Sequence, residues 1–367
     1  TMEGKGGGMK RVVKKTVKAA MRARTRARWK SPRVSPLLLT ASERAEIDAL
    51  WGRVWSKPSY GWHAHFKQTN GLFDPRYLPI DVFYLDILPK MSNLDLALAW
   101  EDKSYYQIRF PDAPFPRMIA ACVNGVLCDG KLTPSDYAKV WQEVIRRGAV
   151  FVKPSIGSYQ GLGAFRLTSS EANCPEELAR VLSRAGNNYV VQELISQHEV
   201  LSSFNPDSVN IIRINTLNLT GEPVLANATI RFGMPGRVTD MTYIDGVETV
   251  RVVGVTEDGI VRDFMCDQDG RRMSLHKIGV NIGGTKLPGF ERACEICMSL
   301  HRALFHFGLV AFDVAIGRSG EPIVVEMNLG GPGAVFYQYA NGPFFGDMTK
   351  EVISWCESKR VRTCPLF

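Results

Sequence analysis

The stretch Phe312-Asp313-Val314-Ala315, followed after a turn by Val324-Val325-Glu326-Met327-Asn328, decides how this chain is read. Two apolar runs, Leu309 to Ile316 and Pro322 to Met327, flank Gly317-Arg318-Ser319-Gly320, a pattern that predicts two strands joined by a tight turn. Residues two apart in a strand face the same side, so Glu326 and Asn328 project together, with Asp313 opposite them on the neighbouring strand. Two carboxylates and an amide oxygen make a hard oxygen site suited to Mg2+, which keeps waters and substrate phosphates as its other ligands. The apolar neighbours Val310, Phe312, Val314, Ile323, Val325 and Met327 would bury these acids, which is costly without a cation. The plain alternative is a hairpin with ordinary acids and an end-of-strand asparagine.

Upstream lies Phe151-Val152-Lys153-Pro154-Ser155-Ile156-Gly157-Ser158-Tyr159-Gln160-Gly161-Leu162-Gly163. A strand delivers one lysine, and a glycine-rich loop turns back over it. Glycines let backbone amides approach phosphate oxygens closely, while Lys153 adds a point charge. This is not the Gly-x4-Gly-Lys-Ser/Thr loop, which occurs nowhere in the chain. Between the two segments, Val190-Val191-Gln192-Glu193-Leu194-Ile195 is an apolar strand that ends in polar residues and continues into Ser196-Gln197-His198-Glu199. A strand end of this kind can offer backbone groups to an adenine edge and a side chain to a ribose, although a simple strand-to-loop transition is the default.

The surrounding elements give an α+β order without regular βαβ alternation. Residues 209–255 alternate in long antiparallel-type stretches, and a helix is expected from Phe290 to His306 with Ala293, Ile296, Cys297, Leu300 and Leu304 inward. Thr40-Ala41-Ser42-Glu43 is a capping box that opens a helix with Ile47, Leu50, Trp51 and Val54 on one face. A second helix is expected from Thr133-Pro134 to Gly148, others over 175–184 and 347–358. Residues 58–90, rich in aromatics and proline, contain alternating apolar pieces such as Val82, Tyr84 and Ile87. The expected domains are a non-native extension, Thr1–Gly8, and a basic flexible tail, together 1–36, with Met9 the natural start; an N-terminal α/β region over 37–103; a lid subdomain over 104–190; and a C-terminal subdomain over 191–367.

At 367 residues, 45% hydrophobic and 22% charged, the chain buries a sizeable core unaided. Its net charge of +8 is unevenly spread: Lys10 to Arg33 carries eleven basic residues and no acid. Glu3 and Lys5 cancel, so removing eleven from +8 leaves −3 for residues 34–367, and the folded part is not marked as a nucleic-acid binder. The basic segment suits a flexible tail, or a tether to an anionic membrane surface. The longest uncharged stretch, Met327 to Gly346, holds five glycines and two prolines and cannot be a spanning helix. No apolar core of a signal peptide follows the basic start. The eight cysteines show no framework spacing, which points to a reducing cytosol. Cys294, Cys297 and His301 lack a second pair to complete a metal site, and Asp267-Gln268-Asp269-Gly270 reads as a hairpin turn.

The order of the three segments — a lysine strand with a glycine-rich lid, a Gln-Glu-Leu-Ile hinge, then Asp … Glu-x-Asn — resembles the ATP-grasp superfamily, whose nucleotide lies between a small lid and a larger antiparallel domain. It is most similar to the sugar-transfer-associated ATP-grasp proteins linked with cell-surface polysaccharide synthesis, through Gly71-Leu-Phe-Asp-Pro-Arg-Tyr77, Asp102-Lys103 and Ser208-Val-Asn-Ile-Ile-Arg213. The resemblance covers roughly residues 60–357 and leaves the basic tail aside. It implies ATP and Mg2+ as cofactors. Lys103 and Lys153 would contact nucleotide phosphates, and Ser155, Gly157 and Gly161 would form the lid. Glu193 and Ile195 would hold adenine through backbone groups, with Gln192 nearby, and either His198 or Glu199 would contact the ribose. Asp313, Glu326 and Asn328 would bind Mg2+, while Arg213 and Arg231 would face the γ-phosphate. Thr239 to Gly246 departs from the expected pattern in a loop that borders the acceptor side.

The resemblance further implies an ATP-dependent ligase that joins a small-molecule carboxylate to an amine or other nucleophile through an acylphosphate, without nucleic acid as a partner. Its expected setting is cytoplasmic, at the inner membrane face if Lys10–Arg33 tethers it there. A kinase acting on a sugar or small-molecule hydroxyl is the rival within the same fold, and a membrane-associated scaffold without catalysis is the rival of another class.

Overall fold

The computed structural model describes residues 35–359 apart from 53, 55–59, 158–160, 237–240, 245 and 246, with only isolated positions before residue 35. Most of the basic segment Lys10–Arg33, and Thr239, Asp240, Asp245 and Gly246 of the Thr239–Gly246 stretch, therefore lie outside the described residues. Among those described, no helix is long and apolar enough to cross a membrane.

The chain begins with helices. In α1 (Ala41–Trp51) the capping box forms as expected: Thr40 Oγ1 accepts from Glu43 N at 3.2 Å, and Thr40 N donates to Glu43 Oε2 at 2.7 Å. Helix α2 (Gly61–Asn70) buries Trp62, Ala64 and Phe66, and ends at Gly71, whose φ of 73° suits glycine. Residues 80–91 then run as continuous helical turns, with a π-turn at Phe83–Ile87. The expected α/β character of 37–103 is thereby corrected: its described residues form helices and no strand. The apolar positions Ile80, Phe83, Ile87, Leu88 and Met91 recur at helical three- and four-residue intervals, and this spacing outweighs the short alternation of Val82, Tyr84 and Ile87.

A five-stranded antiparallel sheet follows, with β1 (Met118–Val123), β2 (Val126–Asp129), β3 (Ala149–Pro154), β4 (Phe165–Thr168) and β5 (Tyr189–Glu193) in the order β2-β1-β5-β3-β4. Helices α3 (Tyr137–Arg147) and α4 (Pro175–Leu182) cover one face, where Val140, Val144, Leu178 and Leu182 meet Val150, Val152 and Val191. The cap of α3 is Asp136, which accepts from Lys139 N at 2.9 Å, and not Thr133. Because β5 is the middle strand of this sheet, the expected boundary at 190/191 falls inside an element; the sheet ends at Glu193.

The second sheet has eight strands, all antiparallel: β6 (Ile211–Leu217), β7 (Val224–Phe232), β8 (Met241–Ile244), β9 (Val247–Val255), β10 (Val261–Cys266), β11 (Arg272–Ser274), β12 (Leu309–Ile316) and β13 (Pro322–Asn328). Asp267–Gly270 is the turn between β10 and β11, as read from the sequence. Helix α5 (Phe290–Ala303) closes one face, packing Ala293, Cys297 and Leu300 into a core with Ile212, Ile214, Ile230, Phe312 and Val314. His301 lies in this core, bonded to Thr216 Oγ1 at 2.6 Å and to the Phe307 carbonyl at 2.7 Å. The other face is covered at one end by α6 (Val335–Asn341), α7 (Thr349–Glu357) and the N-terminal helices, through Leu217, Leu309, Trp51, Phe66, Tyr337 and Ile353. Strand alternation puts Arg213 and Asp313 on that same face.

Candidate nucleotide and cation site

The hairpin that decided the sequence reading forms with the required register. Asp313 pairs with Glu326 and Ala311 with Asn328, so the two carboxylates and the amide share one side of neighbouring strands. On the other edge of β12, Asp313 pairs with Arg213 of β6, and β7 brings Arg231 opposite Ile211. Arg213 grips Asp313 with both arms of its guanidinium, through Nε to Oδ1 and Nη2 to Oδ2, while Nη1 donates to the Pro332 carbonyl at 3.3 Å. Arg231 adds a contact to Asp313 Oδ2 at 3.3 Å, and Asn328 Nδ2 donates to the same oxygen at 3.3 Å. Burial alone would raise the Asp313 pKa, but the guanidiniums of Arg213 and then Arg231 hold its carboxyl below the ordinary value.

The two lysines arrive from elsewhere. Lys103 stands in a single 3-10 turn, Lys103–Tyr105, capped by Asp102 Oδ1, which accepts from Ser104 N at 3.0 Å. Its ammonium meets Glu326 Oε1 at 2.8 Å, and its backbone N–H donates to the Ser155 carbonyl at 2.9 Å. Lys153, near the end of β3, donates to the Val325 carbonyl at 3.2 Å. Its pKa falls to about 8, first through burial and then through repulsion by Lys103, against the pull of Glu326 and Asp313. Ser155 is buried, and its hydroxyl has no hydrogen-bond partner among the described residues.

The expected phosphate, cation and arginine residues thus converge. Lys103, Lys153, Arg213 and Arg231 are 5%, 7%, 6% and 9% exposed, and four cations face the two acids Asp313 and Glu326. Asp313, Glu326 and Asn328 fit a divalent cation that also takes phosphate oxygens and water. Among the described residues no three His, Cys, Asp or Glu side chains group as a ligand set, so a cation held here would take phosphate oxygens and water beside these residues.

The lid and hinge residues lie on the loop after β3, on β5 and just past its end. Gly157 and Gly161 adopt φ of 67° and 72° on either side of 158–160, as glycines permit. Gln192 is buried in β5, its Nε2 at 3.5 Å from the Pro116 carbonyl. Glu193 N donates to the Arg117 carbonyl at 3.0 Å, and Ile195 is half-buried just past the sheet. His198 caps the turn Glu199–Ser202, its Nδ1 accepting from Val200 N at 3.2 Å, whereas Glu199 is exposed.

Sequence reasoning missed three supporting residues. Arg147, at the end of α3, donates Nε to Glu193 Oε1 at 3.0 Å and fixes the hinge acid. Glu101 Oε1 accepts from the Leu329 and Gly330 amides, and the Tyr106 hydroxyl accepts from Met327 N at 3.3 Å. Arg147 ends a helix, where a basic residue is favoured by the dipole alone. Glu101 and Tyr106 reach partners more than two hundred residues away, and no local pattern signals such contacts.

A family comparison matches sugar-transfer-associated ATP-grasp proteins over residues 169–353, just over half of the chain. The matched residues include the hinge, both arginines and all three cation-site residues, whereas Lys103 and Lys153 lie upstream. A comparison with curated proteins found no match. Similar solved structures include a D-cycloserine synthetase at 15% identity, covering 72% of this chain and 70% of that one, with a TM-score of 0.41. A D-Ala:D-Ser ligase from Enterococcus faecalis is 12% identical over 72% of this chain and 62% of that one, TM-score 0.43. D-alanyl-alanine synthetase A from Vibrio cholerae is 14% identical over 70% of this chain and 64% of that one, TM-score 0.42. The chain spans less than two thirds of the length of the last two, and at these scores the likeness carries no further conclusion. On the family match, which runs from the lid through both arginine strands to the last helix, the chain belongs to the sugar-transfer-associated ATP-grasp family.

Proposed function

We propose that the protein is an ATP- and Mg2+-dependent ligase that joins a small-molecule carboxylate to an amine or comparable nucleophile, in the synthesis of cell-surface polysaccharide or a related metabolite. One observation carries this reading: four buried basic side chains, Lys103, Lys153, Arg213 and Arg231, converge on Asp313, Glu326 and Asn328, an arrangement of cations, carboxylates and an amide that suits a nucleotide triphosphate with its cation. The family description, which associates these proteins with sugar transfer, supports the biosynthetic setting.

In this reading ATP supplies the phosphoryl group that activates the carboxylate, and Mg2+ neutralises phosphate oxygens. The chain's own contribution is placement and charge. Lys103 and Lys153 hold phosphate oxygens from the lid side, and the Ser155 hydroxyl offers one more donor. Arg213 and Arg231, already fixed on Asp313, stand where charge builds during phosphoryl transfer and need little reorganisation. Asp313, Glu326 and Asn328 would hold the cation. Glu193 and Ile195 would take adenine through the backbone with Gln192 nearby, and Glu199 the ribose, since the His198 ring is engaged as a cap. A closed lid would keep water from the activated carboxylate. The Lys10–Arg33 segment, with its eleven basic residues, suits attachment to an anionic membrane surface.

The test is to incubate the protein with ATP, Mg2+ and pooled sugar acids and amino acids, and to measure ADP and free phosphate separately. Equal release of both, only when carboxylate and nucleophile are present together, is expected. ADP without free phosphate, with the phosphate retained on an acceptor, would mean a kinase instead.

A further inference from the structure

Glu101 plays no part in the chemistry described above, yet its carboxylate reaches the segment that carries the cation-site residues. Its Oε1 accepts from Leu329 N at 2.6 Å and from Gly330 N at 2.8 Å, the first two amides after Asn328. At this point β13 has ended and the chain enters Leu329-Gly330-Gly331-Pro332-Gly333, where three glycines in five residues leave the backbone free to take many paths. Buried amides past a strand end need an acceptor, and a carboxylate is acceptor-only, so one oxygen can serve both.

Neighbouring residues hold the same strand. Lys103 meets Glu326 Oε1 at 2.8 Å, and the Tyr106 hydroxyl accepts from Met327 N at 3.3 Å while donating to the Glu101 carbonyl at 3.1 Å. The segment 101–106 therefore grips Glu326, Met327, Leu329 and Gly330 in turn, with Asn328 in their midst. Gly330 is drawn close: a Cβ there would stand 3.2 Å from the Ala97 Cβ and 3.8 Å from Glu101 Oε1.

We infer that Glu101 is a positioning residue, which fixes the backbone directly after Asn328 and so sets Asn328 and Glu326 in place for a divalent cation. The inference rests on reading Asp313, Glu326 and Asn328 as cation-binding residues. Groups that orient metal ligands without touching the metal have measurable weight; losing one costs about 10- to 100-fold in metal affinity.

The experiment measures ADP binding to the full chain by calorimetry across a series of Mg2+ concentrations, with amide hydrogen exchange on the same samples. Glu101→Ala is expected to raise the Mg2+ midpoint by about 10-fold or more. ADP affinity without Mg2+ should stay as in the wild type, and the Leu329 and Gly330 amides should exchange faster. Glu101→Gln keeps an oxygen acceptor and should return the midpoint to within about threefold of wild type. Should Glu101→Ala not fold, Gly330→Ala, whose methyl presses on Ala97, is expected to raise the midpoint in the same direction. A midpoint in Glu101→Ala, or in its substitute, within twofold of wild type would overturn the inference, as would a Gln variant as impaired as the Ala one. A wild type whose ADP binding ignores Mg2+ would overturn the cation-site reading and the inference together. A wild-type Mg2+ response that survives intact in the variants would overturn the inference alone.

Discussion

The two sheets bring charge to the site in different ways. In the eight-stranded sheet, register alone sets Arg213 beside Asp313 on adjacent strands, and the guanidinium closes on the carboxylate. In the five-stranded sheet, the Lys153 ammonium donates to the Val325 carbonyl, and the Ser155 hydroxyl has no partner among the described residues. The large sheet is thus a platform whose charges are neutralised from within, and the lid carries groups left over for a ligand. Substitutions on the platform should act mainly on stability, and those on the lid mainly on binding.

The largest effect is expected on the platform. Arg213→Ala leaves Asp313 buried with its main partner gone and should cost about 3–5 kcal/mol in chemical denaturation, since breaking a buried pair exposes the full cost of the remaining charge. A loss under about 1 kcal/mol would erase the distinction between the sheets. On the lid, Lys153→Met should leave stability unchanged or raise it, because burial disfavours the ammonium, while lowering nucleotide affinity about 10- to 100-fold as a charged hydrogen bond is lost. Equal loss of stability and affinity would put Lys153 in the platform class.

A pH titration sharpens the point. With a pKa lowered to about 8, Lys153 is charged below that pH in the free protein and neutral above it. The groups facing it are Lys103, Glu326 and Asp313. An anionic ligand prefers the charged form, so nucleotide affinity should be full below pH 8 and fall by up to about tenfold per pH unit above it. Lys153→Arg, charged throughout, should flatten the profile. The smallest effect belongs to Ser155→Ala: no measurable loss of stability, since its hydroxyl pairs with nothing described, and an affinity loss of about 1 kcal/mol, read by the same titration.

The hairpin of β12 and β13 was legible because strand period and turn length fix which side chains meet, and both are local. That Asp313, Glu326 and Asn328 share one side followed from that alone, and the capping box at Thr40 followed from four residues. The β1–β2 hairpin was missed although its signal was present: Asn124-Gly125 sits between apolar runs, and both residues take positive φ, 50° and 83°, as a tight hairpin turn requires. The N-terminal helices were misjudged because Val82, Tyr84 and Ile87 alternate over a stretch too short to separate strand from helix. Glu101 and Tyr106 were invisible for another reason. Their partners on β13 and the following loop are brought to them by the tertiary fold, and nothing nearby in sequence records that approach.

The most direct test of the central claim, that the junction of these two sheets holds a nucleotide with its cation, is equilibrium dialysis of ATP against the wild type, Lys153→Met and Glu326→Gln, each with and without Mg2+. The account predicts one ATP per wild-type chain with Mg2+, weakened binding in Lys153→Met under both conditions, and a Glu326→Gln variant that loses most of its response to Mg2+. Undiminished, Mg2+-responsive binding in both variants would contradict it, because the ligand would then lie somewhere other than between Lys153 and Glu326.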